Sequence, residues 1–163
     1  GAGLALDVFG LDIDADKLLS ARQAAERAGL PVRFAQSADG VLPDGPWDVI
    51  TVIDVLYLLG AEVALDLVRR AAAALAPGGV VVVKEIDLRP RWKYRLARVQ
   101  EVVSTRVTRI TEGDAVAFVP PDDIAGAMTA AGLTVDRQPL DRGSLHPHLL
   151  LMGRRRVGEI DDG

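Results

Sequence analysis

Carboxylates at the ends of apolar runs are the first residues in this chain whose type and spacing could do chemistry. "VFGLDID" closes on Asp12 and Asp14, and "VITVIDVLYLL" carries one acid, Asp54, inside an otherwise apolar stretch. A carboxylate just past the carboxyl end of a parallel strand stands where open α/β sheets bind ligands. There it can accept two hydrogen bonds from the vicinal hydroxyls of a ribose. The plainer alternative is that Asp12 merely ends its strand while Asp14 caps the next helix. A charge inside the second run is costly unless it is paired or lies at a strand mouth, so Asp54 points to function rather than packing. Tyr57 lies three residues further on, where a helical turn would aim it at the same cleft, although a tyrosine capping apolar core is the more frequent case. Asp39, in "SADG", reads as a turn residue before Gly40 or as an acceptor beyond a second strand. Lys84 and Glu85 close a Val-rich run as adjacent opposite charges, a pair that is more often solvated. His146 and His148 flank Pro147 and share one face if that segment is extended. They could polarise or deprotonate a hydroxyl or amine nucleophile, though a turn-and-strand role is the commoner one. Two histidines make a poor metal site, and no metal is expected.

These residues need elements to place them. Residues 8–13 read as a short buried strand, followed by a helix capped by Asp14 and running to Ala28. Gly29 then stands where a left-handed cap is wanted, and Pro31 blocks continuation. Val32 to Ala35 is a second strand, and "QSADGVLPDGP" is a loop. Asp48 to Ile53 is a third strand, continuous in apolar character as expected when helices cover both faces. Glu62 to Ala76 reads as an Ala-rich helix ended by Pro77-Gly78-Gly79, and Val80 to Ile86 as a fourth strand. Beyond Asp87, apolar residues at 92, 96, 99, 103, 107 and 110 predict an amphipathic helix. Pro120-Pro121-Asp122-Asp123 opens another helix, which stops at Gly132. "LTVDRQPL" and "HPHLLLMG" are two closing strands around a Gly143-Ser144 turn. The expectation is an α/β, Rossmann-like, mostly parallel sheet with helices on both faces and a C-terminal antiparallel strand pair. Residues 1–153 form the domain, and 154–163 a loose tail.

Composition sets outer limits. At 163 residues, 49% apolar and 26% charged, the chain is globular rather than disordered. It contains no Cys, which excludes disulfides and thiolate metal sites and suits a reducing compartment. No apolar run approaches the roughly 18 residues that a membrane span needs, and the first residues lack a basic signal-peptide region. The chain therefore reads as cytoplasmic. A net charge of −4 argues against a generic nucleic-acid binder. Residues 89–109 nevertheless hold seven basic residues against one acid, Glu101. A basic amphipathic helix there is a lid over an anionic substrate, a membrane-surface segment, or simply a solvated face.

Taken in order, "VFGLDID", "SADG", "WDVITVIDVLYLL" and "LAPGGVVVVKEID" resemble the class I S-adenosylmethionine-dependent methyltransferases. "LAPGGVVVVKE" is the most specific string, similar to that family's largely structural L-x-P-G-G turn. The resemblance implies S-adenosyl-L-methionine as cofactor. It implies that Asp12 holds the ribose hydroxyls, that Ile13 lies against the adenine, and that Ala38 and Asp39 face the ring and its amino group. It also sets Asp54 beside the methionine half and the substrate entrance, with Tyr57, Lys84, Trp92 and Tyr94 on the substrate side. The implied function is methyl transfer to a small-molecule or lipid-like acceptor.

The resemblance covers residues 8 to about 153 and departs from the family at one place. The first strand and Gly-rich loop that precede "VFGLDID" in the family have no counterpart here, since four residues separate Gly1-Ala2-Gly3 from Val8. The expectation is an N-terminally incomplete domain with two unpaired strand edges, completed by a preceding segment or by another chain. Two rivals follow. One is a degenerate methyltransferase-like binding module. The other is a nicotinamide-dependent oxidoreductase, opposed by the "APGG" turn, the closing strand pair and the lack of a Tyr-x-x-x-Lys dyad.

Overall fold

In the computed structural model the described residues are 6–37, 41–86, 119–140 and 148–158. They fall in two compact units, Gly1–Pro43 and Asp44–Gly163.

The first unit is a β-α-β arrangement. Strand β1 (Val8–Asp12) lies parallel to β2 (Val32–Gln36), in register from Val8 opposite Val32 to Asp12 opposite Gln36. Helix α1 (Ala15–Ala28) joins them. Asp14 Oδ1 accepts from the N–H groups of Asp16 and Lys17 at 2.9 and 3.2 Å, satisfying two donors that a helix start leaves unpaired. At the other end Gly29 takes φ 65°. Its N–H donates to Glu26 O, and the Leu30 N–H donates to Ala25 O, the double bond of a Schellman cap. Arg22 reaches from α1 to the Phe34 carbonyl, tying helix to strand at 2.9 Å.

The second unit is a mixed sheet in the order β3-β4-β6-β5. It contains β3 (Trp47–Ile53), β4 (Leu75–Ile86), β5 (Leu133–Pro139) and β6 (His148–Arg155). β3 and β4 are parallel, and β6 runs antiparallel to both β4 and β5. The predicted closing strand pair is thus present, with β6 inserted between β4 and β5. Helices α2 (Ala61–Ala73) and α3 (Pro121–Ala130) pack on one another and on this sheet. Ala64, Leu67, Val68, Ala71 and Ala72 form the buried stripe of α2, and Ile124 and Met128 that of α3. Against them β4 presents Val81 and Val83, and β6 presents Leu149 and Leu151.

Three expectations change. Helix α2 stops at Ala73, before Ala76, because the Trp47 N–H takes the Ala74 carbonyl at 2.8 Å and draws the chain into the sheet. Pro77-Gly78-Gly79 therefore lies within β4, at an irregularity where pairing jumps from Trp47–Leu75 to Val49–Val80. The glycines are required there. Gly78 has φ 80°, and a Cβ on Gly79 would stand 2.9 Å from both Ala76 O and Trp47 O. Lastly, Arg154 and Arg155 belong to β6 rather than to a loose tail. Arg154 pairs with Val80 and Thr134, and Arg155 Nη2 donates to Ala72 O at 2.6 Å, where α2 leaves carbonyls without helical partners.

Among the described residues β1 pairs with β2 alone and β3 with β4 alone. Apolar side chains on these edge strands are exposed, Val8, Val49 and Ile53 among them. The predicted amphipathic helix over 92–110, with the basic residues of 89–109, and the Gly143-Ser144 turn lie outside the described residues.

Candidate functional site

In the first unit the candidate residues lie at the carboxyl end of β1. Asp12 is its last residue and is half-buried; Oδ1 accepts the Asp14 N–H at 2.9 Å, so the carboxylate is held by its own turn. The Asp12 carbonyl accepts from the Ser37 N–H at 3.1 Å, and Gln36 Nε2 donates to the Ile13 carbonyl at 2.9 Å. These bonds fix residues 12–14 between strand and helix. Ile13 is left 62% exposed, an apolar side chain facing solvent beside a strand-end carboxylate. The helix-cap reading of Asp14 and the strand-end reading of Asp12 are thus both correct, and the two acids divide the work. Ala38 and Asp39 lie outside the described residues.

In the second unit one end of the sheet gathers Asp54, Lys84, Glu85 and His148. Asp54 directly follows β3 and takes φ 53°, a left-handed conformation that costs a non-glycine residue on the order of 1 kcal/mol or more. Its N–H donates to the Lys84 carbonyl at 3.1 Å, and its Oδ2 accepts from Lys84 Nζ at 2.5 Å. The pair is half-buried, with the side chains 38% and 27% exposed. Asp54 Oδ1 is buried and accepts no hydrogen bond among the described residues. A buried carboxylate oxygen in this state is an acceptor suited to a ligand's N–H or O–H.

Strand alternation sets Lys84 and Glu85 on opposite faces. Glu85 follows Val81 and Val83 onto the core face and is 5% exposed, so the solvated adjacent pair expected from sequence is not what forms. Lys84 pairs instead with Asp54, and Glu85 Oε1 accepts the N–H of Leu56 at 2.9 Å. Leu56, fully buried, opens a short 3-10 turn over Leu56–Leu58 that also carries the half-buried Tyr57. His148 begins β6 opposite Ile86, and its carbonyl accepts from the Leu140 N–H at 2.8 Å. The strand role expected for it is present, and it stands at the same sheet end as Lys84. His146, Trp92 and Tyr94 lie outside the described residues.

A family model described as a methyltransferase domain matches residues 3–138. The ubiquinone biosynthesis O-methyltransferase of Methylobacterium nodulans is 34% identical over 140 residues, which is 82% of this chain and 53% of that protein. The demethylmenaquinone methyltransferase of Thermus thermophilus is 31% identical over 161 residues, 88% of this chain and 70% of the relative. The chain thus spans about half the length of the first and more of the second. Among solved structures, magnesium protoporphyrin IX methyltransferase from Synechocystis PCC 6803 with bound SAH superposes with a TM-score of 0.68. That match is at 16% identity and covers 91% of this chain and 64% of that one. With its parallel strand pairs, its antiparallel β5–β6 closure and a family match across residues 3–138, the chain belongs to the methyltransferase-domain family.

Proposed function

We propose that this chain is the S-adenosylmethionine-binding part of a methyltransferase whose acceptor is a small, lipid-like molecule of quinone type. The observation that carries the reaction class is the methyltransferase family match over residues 3–138. The acceptor class is supported by the names of the two relatives, both of which refer to quinones.

The residues present suit the cofactor in each unit taken by itself. In the first, a strand-end carboxylate, Asp12, lies beside an exposed apolar side chain, Ile13, a combination fit for a ribose and an adenine. In the second, the buried Oδ1 of Asp54, which accepts no hydrogen bond among the described residues, suits the amino group of a methionine half. S-adenosylmethionine brings a methyl group already activated on a sulfonium, so the displacement depends chiefly on alignment. Asp12 binds the ribose hydroxyls, Ala38 and Asp39 the adenine edge, and Asp54 the methionine end. Lys84, Tyr57, Trp92 and Tyr94 face the acceptor. Where an acceptor hydroxyl must lose its proton, His148 or His146 takes it. The basic stretch 89–110 serves as a lid over the acceptor or as a contact with the membrane surface in which a lipid-like acceptor resides. A cytoplasmic location suits a chain without cysteine, and no described helix is long and apolar enough to cross a membrane.

Incubating the intact protein with S-adenosylmethionine carrying an isotopically labelled methyl group and a hydroxylated prenyl-quinone precursor tests this reading. Label should move to the acceptor as S-adenosylhomocysteine accumulates. Binding of S-adenosylhomocysteine with no transfer to any quinone-type acceptor would instead favour the binding-module alternative.

A further inference from the structure

Glu85 has no assigned task, yet it is the buried charged side chain in the described core. It stands on the core face of β4 in line with Val81 and Val83, where the alternation calls for another apolar residue. A carboxylate there is costly unless its hydrogen bonds are made. Its Oε1 accepts from the backbone N–H of Leu56, 29 residues earlier, and that bond crosses from β4 to the turn after β3. On the opposite face the neighbouring Lys84 grips Asp54 by side chain and by backbone, at 2.5 and 3.1 Å. Two consecutive residues of β4 thereby hold both sides of a four-residue junction, Ile53 to Leu56. The left-handed Asp54 lies inside that grip. Released from it, Asp54 would relax toward the ordinary right-handed or extended regions, and both its Lys84 contact and the placement of Oδ1 would change.

We infer that Glu85 is a positioning residue: by accepting the Leu56 N–H, it locks Asp54 in the left-handed conformation that holds Oδ1 ready for a ligand donor. The inference rests on the cofactor reading of Asp54 only for its consequence in binding. The clamp itself is a property of the second unit alone.

Amide hydrogen exchange of the intact protein reads the clamp without any ligand. Glu85→Leu should speed exchange at Leu56 and Asp54 by about tenfold or more, the loss expected for one hydrogen bond to a charged group. Val83 and Leu151 should change little. Glu85→Gln, which keeps an oxygen acceptor, should recover most of the protection. Should Glu85→Leu fail to fold, Glu85→Asp keeps the charge but falls one methylene short of Leu56, and the same two amides should lose protection. Unchanged protection at Asp54 in the folded variant overturns the inference.

Titration with S-adenosylhomocysteine separates this inference from the reading beneath it. Asp54→Ala should weaken binding about tenfold, Glu85→Leu by a similar factor, and the double variant no further than Asp54→Ala alone, since one residue acts through the other. If Asp54→Ala leaves affinity unchanged, the cofactor role of Asp54 is wrong whatever Glu85 does. If Asp54→Ala weakens binding and Glu85→Leu does not, the positioning role is wrong.

Discussion

Leu151→Ala should lower the unfolding free energy by about 2–5 kcal/mol, the usual range for removing a fully enclosed leucine. Leu151 is 1% exposed and sits in β6, opposite Val83 on one side and Arg137 on the other. β6 is the strand that joins the parallel pair β3–β4 to β5, so a cavity beside it faces sheet on both flanks and has little room to collapse. Denaturant unfolding of the wild-type and variant proteins measures the difference. A loss below about 1 kcal/mol would mean that β6 is not packed as an interior strand.

Asp12→Ala in the intact protein should weaken S-adenosylhomocysteine by tenfold or more, since a hydrogen-bonded charged acceptor contributes roughly 1.5–3 kcal/mol. The melting temperature should move little, because Asp12 is half-buried at a strand end and the α1 cap belongs to Asp14. Calorimetric titration checks the affinity, and a thermal scan checks the stability. An unchanged dissociation constant removes Asp12 from the cofactor site. A large fall in melting temperature would assign it to the fold instead.

What could be read in the sequence was local. The Asp14 cap, the Gly29 termination and the Pro121 helix start depend on residues within one turn of each other, and all three stand where the residue types require. The strand-end positions of Asp12 and Asp54 were legible because apolar runs close on acids there. What was not legible depended on register. Nothing in residues 84 and 85 tells that Lys84 reaches Asp54, since that pairing follows from Ile53 standing opposite Lys84 across two strands. The burial of Glu85 did leave a trace, the period-two alternation from Val81, but an adjacent opposite charge made a solvated pair look simpler. The end of α2 and the fate of Arg154 and Arg155 were also set by distant partners, Trp47 for the helix and Val80 and Thr134 for the strand. A run of three arginines gives no local sign of pairing.

The reading of the cofactor as S-adenosylmethionine rather than a nicotinamide can be checked by comparing two ligands. The intact protein should be titrated calorimetrically with S-adenosylhomocysteine and, separately, with NAD. S-adenosylhomocysteine should bind saturably, on the order of micromolar to submillimolar as for ordinary enzyme ligands, and NAD should give no heat. Saturable binding of NAD with none of S-adenosylhomocysteine would contradict it.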